Sequence, residues 1–173
     1  GAGTSTNMNA NEVIANRALE IIGQPKGAYD VIHPNDHVNA SQSTNDTYPT
    51  AVKLATYFGI QDLLAALAAL RGAFQVKAEE FKNILKIGRT QLQDAVPMTL
   101  GQEFAAFASM IAADEKRLRE SASLLCEINM GGTAIGTGIN APVGYADVVT
   151  AKLAEFSGVP VVKAEDMIAA TAD

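Results

Sequence analysis

The sequence Leu63-Leu64-Ala65-Ala66-Leu67-Ala68-Ala69-Leu70 carries no polar side chain at any position. It lies inside a periodic stretch from Pro49 to about Lys82, in which Gly59 and Gly72 are the only residues that weaken a helix. Because proline is favoured at the first position of a helix, the pattern predicts one very long helix that starts at Pro49. A helix that is apolar on every side must be buried on every side.

A second apolar segment must also be buried on every side. Residues 104–113 offer Ser109 as their only polar side chain. A few helices of one chain cannot easily enclose two such segments, so we expect equivalent helices of other subunits to complete the bundle. Burial beneath further parts of the same chain is the alternative. A helix of about 33 residues spans roughly 50 Å, whereas a compact globule of this size is about 40 Å across. The predicted fold class is therefore mainly α, an elongated bundle of long helices.

Other helical patterns and breakers divide the rest of the chain. Gly23 and Pro25 end the first pattern, and Thr99 with Gln102 has the spacing of a capping box. The predicted helices cover residues 7–22, 100–128 and 145–156, with a polar loop at 27–48. We therefore divide the chain into residues 1–48, a helix with polar loops, and residues 49–173, part of a central long-helix bundle.

Composition excludes several classes of protein. The chain has 173 residues, of which 48% are apolar and 18% charged, which is typical of a globular protein. A net charge of −6 provides no general attraction to nucleic acid or anionic lipid. No uninterrupted apolar run approaches the roughly 20 residues of a membrane span, and no signal peptide pattern opens the chain. Cys126 is the only cysteine, so an internal disulfide is excluded. We expect a cytoplasmic protein that binds neither nucleic acid nor membranes.

Three polar clusters lie at or near predicted helix starts. They are Thr4-Ser5-Thr6-Asn7, Gln42-Ser43-Thr44-Asn45-Asp46 and Gly88-Arg89-Thr90-Gln91-Leu92-Gln93-Asp94. Helix starts present unpaired N–H groups and the positive end of the helix dipole, so convergence of the three would bind a small anion such as a carboxylate. Simple capping is the alternative for each cluster. Capping alone does not explain five consecutive polar residues in the second cluster.

Two histidines, His33 and His37, have a spacing that could indicate a metal pair. The loop contains no helical pattern and no clear third ligand, so the spacing favours structural histidines and no metal site.

A glycine-rich stretch at residues 131–141 comes close to two nucleotide-binding motifs and satisfies neither. A P-loop would need lysine where Thr137 stands, and the G-x-G-x-x-A pattern from Gly136 follows a helix and not a strand. The stretch instead predicts a tight loop with positive φ angles.

Several ordered motifs together resemble the fumarase and aspartase superfamily along essentially the whole chain. They are Gly3-Thr4-Ser5-Thr6-Asn7-Met8-Asn9, His33-Pro34-Asn35-Asp36-His37-Val38-Asn39, Gln42-Ser43-Thr44-Asn45-Asp46 and Gly88-Arg89-Thr90. Fumarate hydratases carry histidine after Gly-Arg-Thr. This chain has Gln91 there, which is similar to the superfamily's ammonia-lyases that convert L-aspartate to fumarate.

The resemblance implies roles for individual residues. Substrate-binding positions correspond to Thr4, Ser43, Thr44, Asn45, Thr90 and Gln91. The acid-base role of the histidine that relatives place at Gln91 does not carry over, because an amide cannot exchange a proton at neutral pH. Two alternatives remain open, a fumarate hydratase and a non-catalytic helical oligomerisation module.

The superfamily's catalytic base is a serine in a mobile Gly-Ser-Ser loop, and nothing in this sequence corresponds to it. Ser121 and Ser123 lie in a helical pattern and cannot replace it. We therefore assign no catalytic residue within the segment and expect an amino-terminal and central portion of a longer enzyme, inactive alone. The resemblance also implies a homotetramer with sites shared between subunits, and it implies no cofactor. Activation by a divalent cation is left open by the sequence.

Overall fold

A computed structural model describes residues 3–172. The helices are α1 (Thr4–Ile21), α2 (Thr44–Glu80), α3 (Leu100–Leu124), α4 (Tyr145–Ser157) and α5 (Met167–Ala172). The strands are β1 (Leu85–Thr90), β2 (Gln93–Thr99), β3 (Glu127–Ile128) and β4 (Val162–Lys163), and Pro34–Val38 forms a π-helical turn. The predicted mainly-α fold class is confirmed.

The chain forms two compact units. The first comprises Gly1–Thr56 and Leu125–Asp173, and the second comprises Tyr57–Leu124. These units differ from the sequence-based division at residues 48 and 49. The first unit takes in the chain after α3 because β3 pairs in parallel with β4, and because the loop after β3 contacts the start of α2.

Two helices begin earlier than the sequence pattern indicated. Helix α1 starts at Thr4 and not at Asn7, and helix α2 starts at Thr44 and not at Pro49. The Oγ of Ser43 accepts a hydrogen bond from the backbone N–H of Asn45 at 3.2 Å, which is an N-cap contact. The predicted start at Pro49 is therefore wrong, because the cap lies before it and the proline is inside the helix.

Strands β1 and β2 form an antiparallel hairpin where the sequence predicted a polar loop near a helix start. Leu85 pairs with Thr99 at the open end and Thr90 with Gln93 at the turn, with an irregularity between Ile87 and Arg89. The third polar cluster is therefore at a hairpin turn and not at a helix start, which corrects that part of the prediction.

Helix α3 begins at the predicted capping box. The backbone N–H of Thr99 donates to Oε1 of Gln102 at 2.9 Å, and the N–H of Gln102 donates back to Oγ1 of Thr99 at 3.1 Å. The helix ends at Leu124 and not at the predicted Ile128, because residues 127 and 128 extend into β3.

In the second unit, α2 and α3 pack through aromatic rings. The ring centroids of Phe81 and Phe104 lie 5.4 Å apart, and those of Phe74 and Phe107 lie 5.6 Å apart. Such ring pairs stabilise a core by more than the free energy gained from burying their apolar surface.

Residues 3–172 bury the long apolar run on α2 only in part. Leu64 is buried, whereas Leu63 and Leu70 are 46% and 43% exposed. Helix α2 is also the one helix of residues 3–172 long and apolar enough to cross a membrane, by length and composition only. Core helices of soluble proteins pass the same test. The described residues therefore do not enclose this run, and its cover by other subunits stays a prediction.

Candidate functional site

Helices α1 and α2 begin side by side in the first unit. The side-chain Nδ2 of Asn7 donates to Oγ1 of Thr44 at 3.2 Å, and Oδ1 of Asn7 accepts from Oγ1 of Thr47 at 3.2 Å. A Cβ on Gly3 would lie 2.3 Å from Cγ of Tyr48, so only glycine fits at that contact. The structure thus brings together the first two polar clusters.

The start of α1 has hydrogen-bond donors that no side-chain cap binds. Gly3 occupies the N-cap position with φ of 92°, and no side chain caps the helix. Thr4 is exposed on the first turn, and among residues 3–172 its hydroxyl has no hydrogen-bond partner. Free N–H groups at a helix start attract anions.

The hydroxyls of Ser43 and Thr44 are both held as acceptors. Oγ of Ser43 accepts from the backbone of Asn45, and Oγ1 of Thr44 accepts from Asn7. A hydroxyl has one hydrogen to donate as well as lone pairs to accept. Within the described part of the chain neither hydroxyl hydrogen is donated, so each remains available to a ligand.

Asn45 lies at the surface and joins the start of α2 to the glycine-rich loop. Its Nδ2 donates to the backbone carbonyl of Ala134 at 2.7 Å. An amide nitrogen carries two hydrogens. One is used by Ala134, and the second is the hydrogen that the predicted substrate role would need.

Asp46 is fully buried, and backbone N–H groups hold both carboxylate oxygens. Oδ1 accepts from Ser43 at 2.9 Å, and Oδ2 accepts from Gly131 at 3.2 Å and Thr133 at 2.9 Å. Burial raises the pKa of this carboxyl, while the backbone donors oppose that rise.

Asn129 fills a gap left by the proline inside α2. Pro49 has no N–H, so the carbonyl of Asn45 loses its usual helical partner. Nδ2 of Asn129 donates to that carbonyl at 3.0 Å and to Oγ1 of Thr171 at 3.1 Å. The Asn129 side chain, 2% exposed, thus supports the backbone of the second polar cluster.

The glycine-rich stretch forms the predicted tight loop with positive φ angles. Gly131 has φ of 91°, and a Cβ there would lie 2.6 Å from Cβ of Ala146. Thr133 also has positive φ, at 58°, which is an outlier for a β-branched residue. The N–H of this strained residue is one of the groups that Asp46 holds.

Tyr145, the first residue of α4, reaches the same region. Burial raises the pKa of its phenol, a hydrogen bond with Gln42 lowers it, and the charge of Asp46 raises it further. The phenol is therefore protonated at neutral pH and has a hydrogen to donate.

Thr90 and Gln91 belong to the second unit, at the turn between β1 and β2. Gln91 and Leu92 have φ angles of 46° and 66°. Two positive φ angles match a type I′ hairpin turn, which normally uses asparagine and glycine. The non-glycine residues make this a strained turn at a position that the resemblance assigns to substrate binding.

The two histidines have structural roles. Nδ1 of His33 accepts from the backbone of Asn35 at 3.1 Å and of Asp36 at 3.2 Å, which caps the π-helical turn. Nδ1 of His37 accepts from the N–H of His33 at 2.8 Å. These contacts support the structural alternative over a metal pair.

Residues 3–172 contain no group of three or more His, Cys, Asp or Glu side chains placed to hold a metal ion. A groove of about 640 Å³ between α2 and α3 is lined by residues such as Arg71, Lys82 and Gln102 and by none of the predicted site residues. The volume of a groove therefore does not identify this site.

Sequence reasoning missed the supporting residues. Asn7 was placed among the polar clusters, but Asn129 and the contacts of Asp46 were not foreseen. The one available signal for Asn129 was the proline at the sixth position of α2, which leaves a carbonyl in need of a donor.

Known proteins resemble the whole chain. A family model described as Lyase matches residues 1–173. An aspartate ammonia-lyase from Pseudomonas canavaninivorans is 60% identical over 174 residues, covering 100% of this chain and 37% of the relative. The aspartate ammonia-lyase of Escherichia coli (strain K12) is 56% identical and is covered to 36%. The chain thus spans little more than a third of the length of these relatives.

Solved structures are similar as well. A crystal structure of fumarate lyase:delta crystallin from Brucella melitensis bound to cobalt has a TM-score of 0.96 and 56% identity, over 99% of this chain and 37% of that one. A recombinant class II fumarase from Schistosoma mansoni has a TM-score of 0.86 and 36% identity, over 98% of this chain and 39% of that one.

Proposed function

This chain belongs to the lyase family, and from that membership we propose that it serves in a carbon-nitrogen lyase that eliminates ammonia from L-aspartate to give fumarate. Relatives that are 56% to 60% identical over its whole length are aspartate ammonia-lyases, which supports this reaction. Aspartate carries two carboxylates, so a site for it must bind anionic oxygen atoms.

One observation carries the proposal most directly. The hydroxyls of Ser43 and Thr44 each accept a hydrogen bond from the protein and keep a hydrogen to donate. They lie beside the uncapped start of α1. Donors that are fixed in place before a substrate arrives stabilise an anion without reorganisation. The same donors would reject a neutral apolar ligand, because they would remain unpaired.

The proposed mechanism is the one that the superfamily resemblance implies. A base removes a proton from the carbon next to a carboxylate, and the resulting doubly charged aci-carboxylate expels ammonia. Donors must stabilise that charge more in the transition state than in the ground state. A well-placed donor contributes roughly 3 kcal/mol, and Thr4, Ser43, Thr44, Asn45 and Thr90 are the donors that we assign.

The base is not assigned to this segment. The superfamily's Gly-Ser-Ser loop has no counterpart in the 173 residues, and Ser121 and Ser123 lie on α3. The five assigned donors would therefore bind substrate and stabilise charge without abstracting the proton. We expect the 173-residue chain alone to release little or no fumarate.

A homotetramer in the cytoplasm is part of the proposal. Leu63 and Leu70 on α2 and Met110 on α3 are 43% to 63% exposed in this chain. Equivalent helices of other subunits would cover them without a membrane. Size-exclusion chromatography with light scattering of the full-length gene product would show four chains per particle if the proposal is right.

Fumarate hydration is the second candidate. The class II fumarase from Schistosoma mansoni shares the fold at 36% identity. Gln91 opposes this candidate, because the superfamily's hydratases carry histidine at that position and an amide cannot exchange a proton at neutral pH.

The reaction is tested with the full-length gene product supplied separately with L-aspartate and with L-malate. Fumarate release is followed by ultraviolet absorbance. We expect fumarate from aspartate alone. Fumarate from malate alone would establish the hydratase and show that Gln91 does not distinguish the two reactions.

The donor assignment is tested by Thr90→Ala in the same protein. Thr90 is exposed at the end of β1, so the substitution should leave the fold intact. Loss of one donor should lower turnover roughly 100-fold. Thr56→Ala, which removes another exposed threonine outside the proposed site, is the matched control. Equal kinetics for the two variants would remove Thr90 from the site.

A further inference from the structure

The carboxylate of Asp46 joins two segments that lie far apart in the sequence. On one side it accepts the N–H of Ser43, and on the other it accepts the N–H groups of Gly131 and Thr133. All three donors are backbone groups, and the side chain is 0% exposed. Hydrogen bonds to a charged acceptor are, in general, stronger than those between neutral groups.

Neighbouring contacts strengthen the same connection. Nδ2 of Asn129 donates to the carbonyl of Asn45, and Nδ2 of Asn45 donates to the carbonyl of Ala134. The loop at residues 129–134 therefore holds residues 43–46 through backbone and side-chain atoms. Thr133 has φ of 58° within this loop, a conformation that costs free energy for a β-branched residue and needs surrounding contacts to persist.

Asp46 itself is not arranged to meet a substrate. Its oxygen atoms point to three protein N–H groups, and the side chain has no exposed surface. The residues that could meet a substrate are those that it fixes, above all Ser43, whose hydroxyl keeps a hydrogen to donate.

We propose that Asp46 is a positioning residue for the lyase reaction, which fixes the Ser43 hydroxyl by binding the Ser43 backbone to the loop at residues 131–133. This role rests on the proposed function. A donor misplaced by about 1 Å can lower the reaction rate roughly 100-fold. The buried carboxylate therefore affects the rate of the lyase reaction through the position of the Ser43 hydroxyl, although it touches no substrate.

The primary test is Asp46→Asn in the full-length gene product. The groups that hydrogen-bond the Asp46 carboxylate are all backbone N–H donors, so the new NH₂ must face at least one of them. Placing the amide oxygen on Gly131 and Thr133 keeps two bonds and breaks the bond to Ser43. We expect kcat/KM for L-aspartate to fall roughly 10-fold to 100-fold, with most of the loss in kcat.

Asp166→Asn is the matched control. Oδ1 of Asp166 also accepts two backbone N–H groups, those of Ile168 and Ala169, both at 3.0 Å. Asp166 is exposed and lies in the same unit, at the start of α5. Its variant should show wild-type kinetics.

A double-mutant cycle separates positioning from a general loss of structure. If Asp46 acts through Ser43, adding Asp46→Asn to Ser43→Ala should cost far less in kcat/KM than it does in the wild type. Losses in kcat/KM that multiply in the double variant would overturn the proposal. Kinetics of Asp46→Asn equal to those of Asp166→Asn would also overturn it.

The proposed function and the positioning role fail in different ways. A wild type that releases no fumarate from L-aspartate refutes the proposed function. An active wild type with an unaffected Asp46→Asn variant refutes only the positioning role.

A measurement on the wild type covers the case in which Asp46→Asn does not fold. Succinate, a dicarboxylate that cannot undergo elimination, is added at saturation and backbone hydrogen exchange is followed by mass spectrometry. We expect peptides containing residues 43–45 and 131–133 to be protected together. Protection of residues 43–45 with none at 131–133 would overturn the proposal.

Discussion

Asp46 and Glu115 are both buried carboxylates, but their surroundings differ. Asp46, in the first unit, is held by three backbone N–H groups. Glu115, on α3 in the second unit, accepts from Nε of Arg71 at 2.8 Å and from Arg119 at 3.4 Å. The first arrangement fixes the path of the backbone, and the second fixes the packing of one helix on another.

The pKa values of the two carboxyls move in opposite directions. Burial raises the pKa of Asp46, because backbone donors carry no net charge to offset the loss of water. The hydrogen bond from Arg71 is the largest of the effects that lower the pKa of Glu115, and Arg119 adds to it. A buried carboxylate without a neighbouring cation is costly, because backbone donors alone offset its loss of hydration.

The largest expected effect is from Asp46→Ala. It leaves buried N–H groups at Gly131 and Thr133 without acceptors, at about 1–3 kcal/mol each. We expect a loss of roughly 3 kcal/mol in the free energy of unfolding, measured by urea denaturation of the full-length gene product. Asp166→Ala removes an exposed cap and should cost about 1 kcal/mol. Equal losses would show that burial adds nothing at Asp46.

In the second unit, Arg71→Met removes the shorter of the two ion pairs of Glu115. Glu115 then keeps only the longer contact to Arg119, so the unfolding midpoint should fall. Arg17→Met breaks an exposed pair with Glu20 and should have little effect. If the two variants unfold at the same urea concentration, the ion pair at Glu115 does not stabilise the helix contact.

The pH dependence of stability should have opposite signs at the two carboxyls. For Asp46 the folded pKa is raised, so the folded state binds the proton more tightly and the stability contribution falls as the pH rises above about 4. For Glu115 the folded pKa is lowered, so its contribution is full above about pH 4.3 and is lost as the pH falls.

The measurement compares urea midpoints of the wild type, Asp46→Asn and Glu115→Gln over a series of pH values. The advantage of the wild type over Asp46→Asn should shrink with rising pH, and its advantage over Glu115→Gln should grow. Parallel curves would mean that the two carboxyls experience the same environment.

The smallest expected effect concerns the strained hairpin turn. Leu92→Gly removes a side chain from a residue with φ of 66°, which relieves about 1–2 kcal/mol of strain. The added freedom of glycine in the unfolded chain costs about 0.5–1 kcal/mol, so we expect a gain of roughly 0.5 kcal/mol by urea denaturation. Leu85→Gly, at an exposed strand position, should be destabilising. A loss in both variants would show that the turn is not strained.

Local signals predicted a large part of the fold. The capping box at Thr99 and Gln102 was read from a spacing of three residues, and the glycine-rich loop from its glycines. Both features depend on neighbours in the sequence, which a single sequence shows. The superfamily resemblance placed the chain in the correct family, which the Lyase match confirms.

Features that depend on distant contacts could not be predicted. The hairpin was missed because its turn carries Gln91 and Leu92 where asparagine and glycine give the usual signal. The contacts of Asp46 with Gly131 and Thr133 join residues 85 and 87 positions apart. A pattern within either segment alone contains no information about its partner. The substrate-binding roles of Thr4, Ser43, Thr44, Asn45, Thr90 and Gln91 stay predictions.

We propose that this chain helps an enzyme to expel ammonia, and not water, from a dicarboxylate. The most direct test supplies the full-length gene product with nitrogen-15-labelled L-aspartate and measures labelled ammonia and fumarate in the same sample. We predict equal molar amounts of the two products. Fumarate without ammonia, or neither product from aspartate while malate yields fumarate, would contradict the claim.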